Sequence, residues 1–211
     1  MRRWEPLAGV GAVVLWIVGA FLLENTDRPE GEGAAAFARW VADNDTEIVA
    51  GTVVYGFGVV LFLWFLGVLR SVLVTAERGP THYSAIAYGS GLATSVCLLA
   101  SYLPWAKAAF DKDNISDTSV EALVLMGDSF FGGVELFAIP LLVATAIVAL
   151  RTSVLPRWLA WLSLVLAVVL AIIPIGWLGV IVGLPLWTLV TSVVLYRLPS
   201  MAPSSTPAAR S

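Results

Sequence analysis

Three acids stand seven residues apart in one apolar stretch: Glu121, Asp128 and Glu135. Seven residues make almost two helical turns, so on a helix all three share a face, with Gly132 between the last two. From Leu136 to Leu150 the chain has fifteen uncharged residues. That is about 22 Å of helix, short of a ~30 Å hydrocarbon core. A membrane span ending at Arg151 must therefore borrow residues before Leu136. This puts Glu135 below the outer interface, Asp128 at it and Glu121 beyond it. An ionisable group inside a span costs roughly 3 kcal/mol and faces the bundle or a cavity. The chemistry open to such a stripe is a proton or cation relay, or a site for a cationic ligand. The alternative is a protonated or hydrogen-bonded Glu135 that ties helices together.

Hydroxyls that can satisfy such a carboxyl lie on other apolar stretches. Ser84, Tyr88, Gly91, Ser95 and Tyr102 follow helical spacing, and Ser95 and Tyr102 fall in the outer half of their span. Tyr55 lies at a depth similar to Glu135 on the stretch before. Small residues and tyrosines also serve plain helix packing, which is the competing reading for the serines. Pro140 stands just below Glu135, where it is expected to kink the helix and free a carbonyl.

Other chemistries are excluded or weak. Gly127-Asp128 is half of an intramembrane aspartyl protease site, but such a site shares its proton between two aspartates. No other apolar span carries an aspartate. Residues 87–91 do not form a nucleophile elbow, and neither a phosphate-binding loop nor His-Glu-x-x-His occurs. His82 and Cys97 are the single residues of their types. A three-histidine zinc site and an intrachain disulfide are therefore out of reach of one chain. His82 reads as an interfacial polar anchor and Cys97 as a small apolar residue. No catalytic residue, metal site or cofactor is assigned, and no basic stripe points to nucleic acid.

The elements that must position the stripe are transmembrane helices. Of 211 residues, 59% are hydrophobic and 13% charged, with a mean hydropathy of +0.88. A soluble domain carries about 25% charge. The apolar stretches place spans at 6–23, 48–69, 83–105, 128–150, 158–173 and 177–196. The last two come from thirty-nine uncharged residues between Trp158 and Tyr196, about 58 Å of helix and close to two crossings. Ile173-Pro174-Ile175-Gly176 is the expected turn between them, with Pro185 a kink in the sixth helix. The first span reads as a retained signal anchor rather than a cleaved signal. The expected fold is thus all-α, with six spans in one domain over 1–198 and a disordered cytoplasmic tail over 199–211. Eight of the twelve basic residues fall on the side of the termini, and Arg28, Arg39, Lys107 and Lys112 on the other. That asymmetry puts both termini in the cytoplasm of a plasma-membrane protein.

In the first outer loop, Phe37, Trp40 and Val41 share a helical face. A short amphipathic helix is expected there, lying on the membrane or capping the bundle. Trp4, Trp105 and Trp158 suit interfacial belts. Gly179 and Gly183 form a Gly-x-x-x-Gly pair, which permits close packing or a homo-oligomer contact. An inverted repeat of three plus three spans finds no support in the loop lengths. Two glycosylation sequons, at Asn44 and Asn114, are too short to carry weight.

Residues 130–187 are similar to another group of sequences. Leu155-Pro156-Arg157-Trp158-Leu159-Ala160-Trp161, following a helix that ends at Arg151, resembles bacterial, especially actinobacterial, integral membrane proteins known only as a domain of unknown function. Those proteins have six or seven helices, with Leu-Pro-x-Trp-Leu opening a late span. The resemblance covers about a quarter of the chain. It implies a bacterial membrane protein and carries over no catalytic residue. Three functions follow in order: a non-enzymatic scaffold or subunit of a membrane-protein partner, in contact with the lipid bilayer; a small proton- or cation-linked transporter or channel using Glu135 and Asp128; and a lipid-acting enzyme built from Asp128, Glu135, Arg39 and Lys107.

Overall fold

A computed structural model describes residues 4–24, 28–29 and 33–198, with backbone alone at 24, 173 and 174. A 3-10 turn, Glu5–Leu7, opens α1 (Ala8–Glu24). There follow α2 (Ala34–Asp43), α3 (Asp45–Glu77), α4 (His82–Asp111), α5 (Asp117–Thr152), α6 (Arg157–Ala171) and α7 (Ile173–Leu178). A π-helical stretch, Gly179–Gly183, joins α7 to α8 (Leu184–Arg197). Among the described residues there is no strand. Five helical stretches are long and apolar enough to cross a membrane: Glu5–Leu23, Asp45–Glu77, His82–Asp111, Asp117–Thr152 and Ile175–Arg197. One shorter helix, α6, is apolar but has only 15 residues, about 22 Å. The tail over 199–211, Arg2 and Arg3 lie outside the described residues.

Most helices are apolar on all sides, as expected where one face meets other helices and the rest meets lipid. Val59, Phe62, Phe65, Leu141, Leu142 and Leu166 are buried, while Phe57, Trp64, Leu136, Val165 and Val168 on the same helices are exposed. Small polar side chains tie the helices without charge. Trp187 Nε1 donates to Ser163 Oγ at 2.8 Å across α8 and α6, and Ser192 Oγ donates to Pro6 O at 2.8 Å. At the Arg151 end, the Glu77 carboxylate accepts from the amides of Tyr83 and Ser84 at 3.2 and 3.1 Å, capping α4. Arg70 and Arg151 lie over the rings of Tyr88 and Tyr83. His82 begins α4 and is exposed.

At the opposite end, α4 and α5 run on past the main core. Helix α5 has 36 residues, about 54 Å, far more than a ~30 Å core needs. Its first turns and the last turns of α4 make a second apolar cluster with α2. There Phe37, Trp40 and Val41 meet Trp105, Ala108, Ala109, Val120 and Val124. The amphipathic helix of the first long loop therefore caps the bundle with its apolar face turned inward. Trp105 is buried beneath this cap, not placed in a surface belt as its position near a span end suggests, whereas Trp4 and Trp158 are exposed.

The reversal after α6 is tighter than expected. The chain turns at Ile172 (φ −95°, ψ 93°), and residues 173–176 already belong to α7. Pro174 falls in the first turn of that helix, where its missing N–H costs nothing. Helix α5 continues through Pro140. Gly179 and Gly183 face α6: a Cβ on Gly179 would stand 2.7 Å from Leu170 Cδ2, and one on Gly183 would run into Leu166. The glycine pair is thus used within the chain, to seat the π stretch on α6.

Helices α1 and α3 meet just as closely. A Cβ on Gly19 would stand 2.8 Å from the Tyr55 amide nitrogen and 3.0 Å from Gly51 O, both backbone atoms. Gly19→Ala is expected to cost about 1–3 kcal/mol, because backbone cannot step aside as a side chain can. Gly67→Ala, with nothing within 4 Å of its Cβ, should be neutral or stabilising by roughly 0.5–1 kcal/mol. Thermal unfolding midpoints of the two variants in detergent check this; equal losses at both positions would remove the close-approach argument.

Candidate functional site

The helix that carries Glu121, Asp128 and Glu135 starts well before its membrane-length portion. Ser116 caps it, its Oγ accepting from Ser119 N at 3.3 Å, and Asp117 sits in the first turn. All three acids are half-buried on this one helix, but each meets different surroundings.

Asp128 is paired with Arg28, 100 residues earlier and in the connection between α1 and α2. The guanidinium donates through both terminal nitrogens to both carboxylate oxygens, one of these bonds being 3.2 Å. Its plane is held by aromatic rings: the Arg28 Cζ lies 4.7 Å from the Trp105 ring centroid and 5.9 Å from that of Phe37. Trp105 is itself fixed, its Nε1 donating to Val124 O at 3.1 Å and its ring edge-on to Trp40 and Tyr102. Gly127 lets α4 come this close, since a Cβ there would stand 2.7 Å from Trp105 Nε1. Arg28 and Asp128 therefore close the junction between the main core and the α2 cap.

Glu135 lies one heptad nearer the Arg151 end. Its carboxyl rests against Gly176 of α7, where a Cβ would stand 2.7 Å from Oε2. Among the described residues no ion pair involves Glu135 or Glu121. The hydroxyl-bearing residues expected near Glu135 make the following contacts. Ser95 Oγ donates to Gly91 O at 2.8 Å within its own helix. Tyr55 and Tyr102 meet edge to face with ring centroids 4.7 Å apart, and Tyr55 also stacks on Trp16. Opposite Gly133 stands Cys97, buried and unoxidised. Two further ion pairs belong to the outside of the cap. Lys107 pairs with Asp111, and Lys112 Nζ donates to Asp45 at 2.5 Å. That hydrogen bond holds the Lys112 ammonium above the ordinary lysine range, so the stability it contributes is present through neutral pH and is lost only as strongly alkaline pH removes the proton.

Two cavities adjoin the acid-bearing face of α5. A polar one of about 230 Å³ is lined by Arg28, Asp128, Ser101, Tyr102, Trp105, Gly127, Phe131 and Ile181. An apolar one of about 330 Å³ lies between α1, α3, α4 and the π stretch, walled by Trp16, Ala20, Tyr55, Leu98, Leu184 and Pro185 among others. The two share Tyr102, Phe131 and Ile181 in their linings, so they adjoin. Ile17, Phe21 and Ile181 on the rim of the apolar cavity are exposed. The structure thus brings Asp128 and Tyr102 to one cavity and Tyr55 and Tyr102 to its neighbour, sets Glu135 against Gly176, and leaves Glu121 and Ser95 out of both linings.

Arg28, Phe37 and Trp105 are the site residues that spacing along α5 does not reveal. A signal was present: in the sequence Arg28 stands alone as a base among Glu24, Asp27, Glu30 and Glu32. Comparison with protein-family models, with curated proteins and with solved structures finds no match for this chain.

With the pair a third exposed (33% and 38%), its coupling energy should be modest, about 0.5–1 kcal/mol in a double-mutant cycle of Arg28→Ala and Asp128→Asn. Arg28→Lys keeps the charge but not the two-pronged, ring-stacked plane, and should lose most of that coupling. The cycle is read from unfolding midpoints in detergent; full retention of the coupling with lysine would show that charge alone matters.

Proposed function

We propose that the protein is a six-crossing integral membrane protein of a bacterial plasma membrane, with both termini cytoplasmic, that acts by binding rather than catalysis, as a scaffold or subunit of a membrane-protein partner. The observation that carries this reading is how the α5 acids are occupied. Asp128 is neutralised by Arg28 and Glu135 is pressed on Gly176. Both tie α5 to another part of the chain, which is the use of intramembrane polar groups as helix connectors. Helix α6 serves as the fifth crossing despite its length; a stretch of about 22 Å is accommodated by local thinning or by the flanking Arg157 and Trp158 reaching to the interface. The orientation follows from eight basic residues on the side of the termini against four on the other.

A second reading is a proton- or cation-linked transporter. It is favoured by one observation, the half-buried Glu135 without an ion pair among the described residues. Glu135→Gln is nearly isosteric but cannot ionise. Midpoints of wild type and variant are to be measured from pH 5 to 9 with sodium, potassium and calcium. Parallel curves indifferent to ions are the expected result and leave Glu135 a structural connector. A pH- or ion-dependent shift in wild type alone would put the transporter first.

Orientation has its own test. In a Cys97→Ala background, Asp113→Cys should react with an impermeant maleimide on intact cells, and Ser153→Cys only after permeabilisation. The reverse pattern inverts the topology.

A further inference from the structure

The two adjoining cavities differ in character, one holding the Arg28–Asp128 pair and the other almost wholly apolar, and the apolar one is rimmed by exposed apolar residues. An amphiphile entering sideways from a bilayer meets that order of surfaces. The apolar part, about 330 Å³, lies at the small end of the range of roughly 300–1,000 Å³ for ligand sites, enough for a segment of acyl chain. One of its walls is the π-helical stretch Gly179–Gly183, a form of backbone that recurs at functional sites.

The polar end selects the headgroup by charge. Arg28 and Asp128 are adjacent and of opposite sign, so their charges cancel. An anionic headgroup would gain from Arg28 and be repelled by Asp128; a cationic one meets the converse. A dipolar headgroup satisfies both. Arginine has five N–H donors and an ionised carboxylate about four acceptor positions. The two bonds between Arg28 and Asp128 leave donors for a phosphate and acceptors for an ammonium. Only a primary ammonium can donate hydrogen bonds to the carboxylate; a trimethylated one has no N–H.

We propose that the two adjoining cavities together bind one membrane phospholipid with a zwitterionic, primary-ammonium headgroup of the phosphatidylethanolamine class. Its phosphate lies against Arg28 and its ammonium against Asp128. An acyl chain runs over Phe131 and Ile181 into the groove beside Trp16, Ala20 and Tyr55. This inference rests on the membrane-spanning reading and goes beyond it in naming a ligand.

The test uses the full chain purified in detergent, stripped of lipid and titrated with dioctanoyl phosphatidylethanolamine, phosphatidylcholine or phosphatidylglycerol, with bound lipid counted by native mass spectrometry. One phosphatidylethanolamine should bind about tenfold more tightly than either other lipid, the size of one hydrogen bond to a charged group. Ala20→Trp fills the groove and leaves the ion pair intact, and it should abolish binding. Asp128→Asn should shift the preference to the anionic phosphatidylglycerol. Equal binding of the three lipids, unchanged binding by Ala20→Trp, or full displacement of the lipid by inorganic phosphate at matched concentration would each overturn the proposal. If Asp128→Asn fails to fold, the wild-type headgroup series and Ala20→Trp still decide. A chain that extracts from membranes without detergent refutes the membrane-spanning reading. A chain that needs detergent but ignores the headgroup refutes only the lipid site.

Discussion

The arrangement depends on a mismatch of lengths: α6 has 15 residues and lies beside α5, which has 36. A helix grows 1.5 Å per residue, so α6 stops far short of the other end of α5. The chain turns back at Ile172, and α7 brings Gly176 against Glu135. Beyond that level the acid-bearing face of α5 needs a different cover. Arg28 supplies it at Asp128, and α2 covers the first turns of α5. The three acids share one face by helical periodicity, yet the short neighbour divides that face into separate environments. Glu135 is in contact with a neighbouring helix, and Asp128 is in an ion pair from a loop.

Physical economy explains the chemistry of each contact. Where helices pack deep in the bundle, the polar links are neutral: serine and threonine hydroxyls returning to their own helix, and Trp187 donating to Ser163. Charge without a partner costs free energy in an apolar medium, so the ion pairs stand toward the α2 end and its cap. At the other end, arginines lie over tyrosine rings and Glu77 caps a helix terminus. Close backbone approach is bought at a few positions by glycine. Gly19 and Gly51 bring α1 to α3, Gly127 brings α5 to α4, and Gly179 and Gly183 receive α6.

The same division produces the two adjoining cavities. Helix α5 rises above the α6 turn, and α1 and the π stretch leave a groove between them. Trp16, Tyr55 and Tyr102 wall it, with the Tyr55 ring in contact with each of the other two. Arg28 is held in place by the rings of Trp105 and Phe37, so its charge is presented in a fixed direction. The result is a cavity with a polar ion pair beside an apolar one, built from segments of chain that lie far apart in sequence.

Local physics was legible in the sequence. Long uncharged runs require helices that satisfy their own backbone hydrogen bonds, and the helical character of these runs follows from composition alone. The sevenfold spacing of Glu121, Asp128 and Glu135 and the apolar face of Phe37, Trp40 and Val41 follow from a 3.6-residue period. Proline and glycine near 173–176 marked a reversal to within a residue or so. What only the tertiary structure decided are the pairings across the bundle. Nothing local to Asp128 names Arg28, nothing local to Glu135 names Gly176, and a Gly-x-x-x-Gly pair does not state whether it faces its own α6 or a second molecule. Trp105 looks like an interfacial residue until α2 folds over it. Such pairings depend on relative helix lengths, crossing positions and the path of a loop. These are properties of the packed chain, absent from any window of residues read alone.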